Sequence, residues 1–141
     1  MANVIPFSFR GELFTGTHNF ASGGDQFKLA LYTANPYNTA STVYNATSEV
    51  SASGTNYTTA GEALTGNAVA YGTAVASCDF DPAVWTTASF TAAYGAIYND
   101  DKSDKLCVVL DFSGNKTATA GTFTVTFPDP STPADAIISM A

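Results

Sequence analysis

The chain has 141 residues, of which 45% are hydrophobic and only 12% are charged, and its net charge is −7. The hydrophobic content is enough for a packed core and argues against wholesale disorder. The five Lys and Arg residues are too few to neutralise a phosphate backbone, so we expect no nucleic-acid partner. The N-terminal sequence lacks the pattern of a signal peptide, and no apolar run approaches the ~20 residues of a membrane span, so we expect no membrane partner.

The phenylalanine-rich segment near the N-terminus fits two patterns. Phe7 and Phe9 alternate as in a strand, whereas Phe9, Leu13 and Phe14 would share one face of a helix. Two glycines in the same segment weaken the helix. We therefore predict a short helix or an irregular structure within an N-terminal arm of residues 1–22.

Period-2 alternation dominates the rest of the chain, and it indicates β-strands whose successive side chains face opposite sides. The clearest strand is 121–128, where Phe123, Val125 and Phe127 face inward and threonines face outward. The apolar run at 106–112 is typical of a central strand covered on both faces. The other predicted strands are 27–33, 62–72, 74–80, 89–99 and 136–140.

The connections between these strands are rich in turn-forming residues. A polar link makes 89–112 a hairpin with a polar tip, and 113–121 is predicted to be a second turn. Residues 35–61 form a long polar excursion, with a short ribbon predicted around 49–51. Strands at short spacing with turns between them predict an all-β fold: a single antiparallel β-sandwich domain spanning 1–141.

The residues that usually carry catalysis are sparse. His18 is the only histidine, and nothing in its spacing from carboxylates and hydroxyls suggests a catalytic triad, so we interpret it as a structural residue beside Phe20. Cys78 and Cys107 are predicted to be buried free thiols, with a single cross-sheet disulfide as the alternative. One histidine and two distant cysteines do not make a metal site.

Two acidic patterns have a chemical and a structural interpretation. Asp79 and Asp81 could pair as glycosidase carboxylates, but the proline after Asp81 favours a turn. Asn99, Asp101 and Ser103 have the spacing of a calcium loop without its glycine and distal glutamate, so we interpret them as a solvated hairpin tip. The glycines form neither a dinucleotide-binding nor a phosphate-binding motif. We therefore expect no metal, no cofactor and no enzymatic activity.

The aromatic residues outside the clearest strands are the best candidates for contacts with a partner. Tyrosine combines apolar area with a hydrogen-bonding tip and is enriched at interfaces. Partial burial at sheet edges and glycan binding are the alternatives for these tyrosines. The aromatics outside the clearest strands are Tyr37, Tyr44, Tyr57, Tyr71 and Trp85. The predicted contact residues are Phe7, Phe9 and Phe14 of the arm, Tyr37, Tyr44 and Tyr57 of the excursion, and Tyr94 of the predicted strand 89–99.

Several strings of residues are distinctive in combination. They are FKLALYTA at 27–34, EVSASGTNYTTAGEALTG at 49–66, SFTAAYGAIYN at 89–99, VVLDFSGNKTATAGTFTVTFP at 108–128 and AIISMA at 136–141. With these strings the chain resembles, over almost its whole length, a family of small β-rich virion proteins of tailed bacteriophages. One departure is Tyr94, before Gly95, where the resemblance leads us to expect an arginine nearby.

The resemblance implies a capsid decoration or cement protein with a jelly-roll or related β-sandwich fold. Such a protein would be located on the virion surface, with the major capsid protein as its partner. The low charge content leaves much uncharged polar surface, which suits self-association, so we also expect a homo-oligomer, a dimer or trimer. The alternatives are a tail, neck or fibre component of the virion and a glycan-binding module, with an enzyme ranked last.

Overall fold

A computed structural model describes residues 3–128 and 136–140 of the chain. The elements in this part are α1 (Phe7–Phe14), β1 (Phe27–Tyr32), β2 (Glu62–Ala63), β3 (Ala68–Tyr71), β4 (Ala76–Asp79), β5 (Ala83–Asn99), a 3-10 turn (Asp100–Lys102), β6 (Lys105–Val125) and β7 (Ile138–Met140). The predicted short N-terminal helix is α1. Within the described residues, no helix has the length and apolarity that crossing a membrane would require.

The strands form two antiparallel sheets. One has four strands in the order β2-β1-β5-β6, and the other has three in the order β3-β4-β7. Leu29 and Val108 of the first sheet share a hydrophobic cluster with Cys78 and Ile138 of the second. The arrangement confirms the predicted all-β, sandwich-like fold.

The two longest strands, β5 and β6, form one continuous hairpin. They have 17 and 21 residues and pair from Asn99 opposite Lys105 at the tip to Ala83 opposite Val125 at the far end. The predicted hairpin at 89–112 is confirmed, and it extends beyond the predicted strands.

The segment 113–121 is not a second turn, so that prediction is wrong. It lies within β6, and register shifts in its pairing with β5 mark irregularities there. Ser113, Gly114 and Ala120 have positive φ angles of 56°, 109° and 45° at these irregularities. Bulges use the same small and polar residues as turns, and they bend a strand without ending it.

The apolar run at 106–112 is largely buried on both faces, as predicted, but it does not lie in a central strand. β6 is the outermost strand of its sheet. Its side chains divide between the main core and a second buried cluster on the other face of the sheet. Bridges from Val4 to Val109 and from Val43 to Lys105 cover part of its outer edge, which satisfies backbone groups that an edge strand leaves open.

The excursion of residues 35–61 covers this second cluster. Aromatic side chains of the excursion pack on Tyr32 and Tyr98, which face away from the three-stranded sheet. A single bridge between Tyr32 and Glu49 lies where the short ribbon was predicted. The four-stranded sheet is therefore covered on both faces by parts of the same chain.

Gly61 ends the excursion where its backbone passes close to β1. Its φ is +84°, and an added Cβ would collide with the backbone carbonyl of Leu29. We expect Gly61→Ala to lower the free energy of unfolding by more than about 3 kcal/mol, because the collision adds to the strain of a left-handed backbone. Urea denaturation followed by circular dichroism measures the loss.

Gly54 provides the matched control. Its φ is +71°, but no atom lies within 4 Å of an added Cβ. Gly54→Ala should therefore lower the free energy of unfolding only by the backbone strain, about 1–2 kcal/mol. Equal losses for the two variants would contradict the argument that close packing at Gly61 matters.

Candidate interaction surface

The ends of α1 are set by a proline and a glycine. The helix begins after Pro6, whose backbone is extended with φ −60° and ψ 152°. At the other end the Gly16 N–H donates to the Leu13 carbonyl at 3.3 Å, and the Thr17 N–H donates to the Glu12 carbonyl at 3.0 Å. With the φ of Gly16 at +66°, this is a Schellman motif, which ends the helix there.

One face of α1 is fixed to the body of the protein. Phe9 is fully buried, and its ring contacts those of His18 and Phe20. The Glu12 carboxylate lies 2.7 Å from the Nε2 atom of His18 and accepts a hydrogen bond from the Lys105 Nζ at 2.7 Å. An aromatic anchor and a charged anchor together fix the orientation of the helix.

The buried ring of His18 is hydrogen-bonded at both nitrogens. Its Nε2 faces the Glu12 carboxylate, so Nε2 carries the proton, and its Nδ1 accepts from the Asn99 side-chain amide at 2.9 Å. The same amide donates to the Asp25 carboxylate at 2.8 Å, which fixes its orientation. Neither nitrogen faces a hydroxyl or thiol, so His18 lacks the geometry of a catalytic base.

The carboxylates of this cluster stay ionised at neutral pH. Burial raises the pKa of Glu12, but hydrogen bonds from Lys105 and His18 outweigh it and hold the pKa below its ordinary value. Burial also raises the pKa of Asp25, but hydrogen bonds from the Asn99 side chain and the Asn19 backbone outweigh it, so the pKa of Asp25 is lowered as well. Both groups therefore stabilise the folded chain as anions.

The opposite face of α1 is exposed and largely apolar. Phe7 is 61% and Phe14 is 86% exposed. Phe7, Arg10 and Phe14 stand at i, i+3 and i+7 and so lie along one side of the helix. We call these three residues the α1 stripe. A helix with apolar residues on both sides is normally buried, so the stripe marks a surface suited to a partner.

A groove lies beside the α1 stripe, between α1 and β7. Its volume is about 320 Å³, and it is lined by residues of α1 together with Ile5, Ile138, Ser139 and Met140. Met140 is 53% exposed, so the apolar surface continues from α1 onto the sheet. The stripe and the groove together form the candidate interaction surface.

The predicted contact residues fall into two groups. Phe7 and Phe14 are exposed on the α1 stripe. The others are turned toward the protein: Phe9, Tyr37 and Tyr57 are buried, and Tyr44 and Tyr94 are partly buried. Buried side chains offer no surface to a partner in this conformation, so Phe7 and Phe14 are the candidates that the fold leaves exposed.

Glu49 explains why Tyr44 and Tyr57 of the excursion turn inward, whereas the Tyr37 hydroxyl pairs with that of Tyr32 at 2.6 Å. Its carboxylate accepts hydrogen bonds from the Tyr44 hydroxyl at 2.6 Å, the Tyr57 hydroxyl at 2.7 Å and the Ala60 N–H at 2.7 Å. The Tyr57 hydroxyl also accepts from the Leu31 N–H at 3.0 Å, which ties the excursion to β1. Burial raises the pKa of Tyr57, and the nearby Glu49 charge adds to this.

The acidic patterns noted in the sequence do not converge on one point. The Asp101 carboxylate accepts from the Gln26 N–H at 2.7 Å, whereas the Asn99 amide points toward His18. The Asp81 carboxylate accepts from the Thr65 hydroxyl at 3.3 Å. In the part of the chain that the structure describes, no three His, Cys, Asp or Glu residues are grouped as metal ligands.

The two cysteines are free and buried, and they belong to different sheets. Burial raises the pKa of Cys78 to about 12 and the pKa of Cys107 well above its ordinary value. Both thiols are therefore protonated at neutral pH and are poor nucleophiles. The prediction of buried free thiols is confirmed.

Sequence reasoning missed two residues of this surface, Arg10 and Met140, and one residue that holds the excursion, Glu49. Arg10 stands three residues after Phe7, so the spacing of the α1 stripe was visible in the sequence. Met140 joins the surface only because β7 pairs with β4 in the fold. Glu49 gathers donors from positions that the sequence does not relate to one another.

Comparison of the chain with protein-family models, with curated proteins and with solved structures gives no match in any of the three.

Removal of the Tyr57 hydroxyl tests the role of Glu49. We expect Tyr57→Phe to lower the free energy of unfolding by about 1–3 kcal/mol, because it leaves the buried Leu31 N–H without an acceptor. Tyr71→Phe is the control, because Tyr71 is 83% exposed and removal of its hydroxyl should leave the free energy of unfolding almost unchanged. Urea denaturation of both variants makes the comparison, and equal stability of the two would count against the network.

Glu12 accepts hydrogen bonds from Lys105 and His18, and we call these contacts the Glu12 clamp on α1. The clamp predicts a pH dependence of stability. The pKa of Glu12 is lower in the folded protein than its unfolded value of about 4.5. The stabilisation that ionised Glu12 gives the folded state is therefore complete above the unfolded pKa, and it is lost as the pH falls through the folded pKa. We expect Glu12→Gln to lower the free energy of unfolding by about 1–3 kcal/mol at pH 7, and by progressively less as the pH falls below about 4.5. Denaturation of wild type and variant at several pH values measures this difference, and a constant difference would refute the clamp.

Proposed function

We propose that this protein is a structural component of a tailed-phage virion and that it acts as a decoration protein on the outside of the major capsid shell. The observation that carries the proposal is the α1 stripe, an exposed apolar helix face held rigidly against the protein. The resemblance of the sequence strings supports the viral class.

The internal use of the polar groups also favours a binding role. His18, Glu12 and Asp25 hold one another, and Glu49 holds the excursion. The hydroxyls of Tyr44 and Tyr57 bond Glu49 and that of Tyr37 bonds Tyr32, so they lend no support to a glycan site. The surfaces that remain are suited to covering another protein.

In the proposed mode, Phe7 and Phe14 enter apolar depressions on the shell. Burying one such side chain contributes about 1.5–3 kcal/mol, so a single contact is modest. A dimer or trimer would engage several shell subunits at once, and the linked contacts would hold far more tightly than one. Such a bridge would reinforce the joints between capsomers.

Shells assembled from the major capsid protein of the phage that we propose encodes this chain provide the test. We expect the wild-type protein to co-sediment with these shells and to raise their melting temperature. Phe14→Ser should weaken binding at least about tenfold, because an exposed aromatic anchor is lost. Tyr71→Ser is the matched control, since it removes an aromatic residue that is 83% exposed on β3.

Three results would contradict parts of this proposal. Absence of wild-type binding would refute the decoration role. A handful of copies per particle, instead of hundreds, would favour a tail, neck or fibre position. Unchanged binding of Phe14→Ser would move the contact away from α1. Point substitutions are preferable to deletion of residues 1–16, because the deletion also removes the buried Phe9 and the Glu12 clamp.

A further inference from the structure

We infer that the groove between α1 and β7 binds an extended apolar segment of a second protein, and that a carboxylate of this segment pairs with Arg10. The inference rests on the proposed function for its biological setting, since it specifies the chemistry of that partner. Its physical basis is independent of any virus and comes from the strand edge, the groove lining and one charge.

The first observation is the open edge of β7. This strand is the outermost of the three-stranded sheet, and its register pairs Ile138, Ser139 and Met140 with β4. Among the described residues, these three have no backbone hydrogen bonds other than those to β4. An extended segment laid along β7 would therefore find free backbone donors and acceptors.

The second observation is the apolar lining next to that edge. Leu13 and Phe14 line the groove on one side, and Ile138 and Met140 line it on the other. Leu13, Ile138 and Met140 also line a neighbouring cavity of about 130 Å³ that reaches Val69. Alternate side chains of an added strand would face this lining, and the flexible Met140 can adjust to their shapes.

The third observation is Arg10, which is the only charged residue among the described residues that line the groove. Its guanidinium lies 5.3 Å from the centroid of the Phe7 ring, and its Nη2 donates to the Ile5 carbonyl at 3.3 Å. Arg10 has no carboxylate partner in the described part of the chain. Its remaining N–H donors are held in place for a planar carboxylate, which guanidinium binds with two parallel hydrogen bonds.

These features disfavour a second copy of the chain as the occupant. Arg10 stands between Phe7 and Phe14 on the α1 stripe, so a two-fold axis through the stripe would bring two arginines together. Among the residues that the structure describes, no Asp or Glu lines the groove to separate them. A different protein, with a carboxylate among apolar residues, complements the surface.

Two synthetic peptides test the inference without any virion component. Both have about ten residues that alternate leucine or valine with threonine, a pattern that favours an extended strand, and one carries a central glutamate where the other carries a lysine. Binding is measured by fluorescence anisotropy, and the site is located by amide shifts of the ¹⁵N-labelled full-length protein. We expect the glutamate peptide to bind about tenfold more tightly, with shifts confined to α1 and β7.

Charge reversal makes the test specific. Arg10→Glu should reverse the preference so that the lysine peptide binds more tightly, while Phe14→Ser should weaken both peptides. Tyr71→Ser should change neither, and circular dichroism checks that every variant is folded. Equal binding of the two peptides, no binding at about 1 mM, shifts outside α1 and β7, or an unchanged preference in Arg10→Glu would each overturn the inference.

The shell and peptide experiments separate the two proposals. Peptide selectivity without shell binding would leave the groove chemistry standing and refute the decoration role. Shell binding without peptide selectivity would support the decoration role and refute the groove chemistry. Loss of self-association in Arg10→Glu, measured by sedimentation, would show a second copy in the groove and overturn the inference.

Discussion

The antiparallel pairing of β5 with β6 is the constraint on which the remaining structure depends. Near the hairpin tip, β1 pairs with β5 from Phe27 opposite Asn99 to Tyr32 opposite Tyr94, which builds the four-stranded sheet. At the far end, Trp85 and Phe123 from the two strands pack together in the main core. The bulges within the hairpin bend it, so that one pair of strands supplies both the sheet and much of the core.

The scarcity of charge makes a few carboxylates unusually important in this fold. Glu12 fixes the helix, Asp25 fixes the loop that carries Asn19, and Glu49 fixes the excursion. Each accepts more than one hydrogen bond, and bonds to a charged acceptor are stronger than neutral ones. Segments without regular structure are thereby held in defined positions although their sequences are mostly uncharged.

Sequence periodicity located most of the strands because alternation follows directly from the geometry of a half-buried strand. The single strand predicted over 62–72 is wrong, since β2 and β3 lie there in different sheets. Periodicity did not distinguish the bulges at Ser113 and Gly114 from a turn, since both need small residues that tolerate positive φ. Periodicity also led to the prediction that 106–112 lies in a central strand, because an apolar run that is buried on both faces usually has a neighbouring layer on each side. β6 is instead the outermost strand of its sheet. Here the excursion provides one of those layers, and no local pattern predicts where a loop will fold.

The candidate surface was only partly predictable for a related reason. The sequence singled out Phe7 and Phe14 correctly as residues outside the regular strands, but the same criterion selected Tyr37 and Tyr57, which are buried. Tyrosine suits an interface and a hydrogen-bonded interior equally well, so composition alone cannot assign it. The deciding partners are Glu49, which accepts from the Tyr57 hydroxyl, and Tyr32, which pairs with the Tyr37 hydroxyl, and both come into reach only after the chain has folded.

The orientation of α1 is the strongest physical reason to place a partner contact there. Glu12 and Phe9 fix one face of the helix, which forces Phe7 and Phe14 into water. Full burial of each ring would contribute about 1.5–3 kcal/mol, and the folded chain alone does not gain this free energy while the ring is exposed. A polar residue at either position would not leave apolar surface in water. The clamp also removes the motion that a free arm would lose on binding, so the stripe is presented to a partner with little ordering cost. A rigid anchor on one side of the helix and an apolar stripe on the other are therefore parts of the single arrangement that we propose for binding.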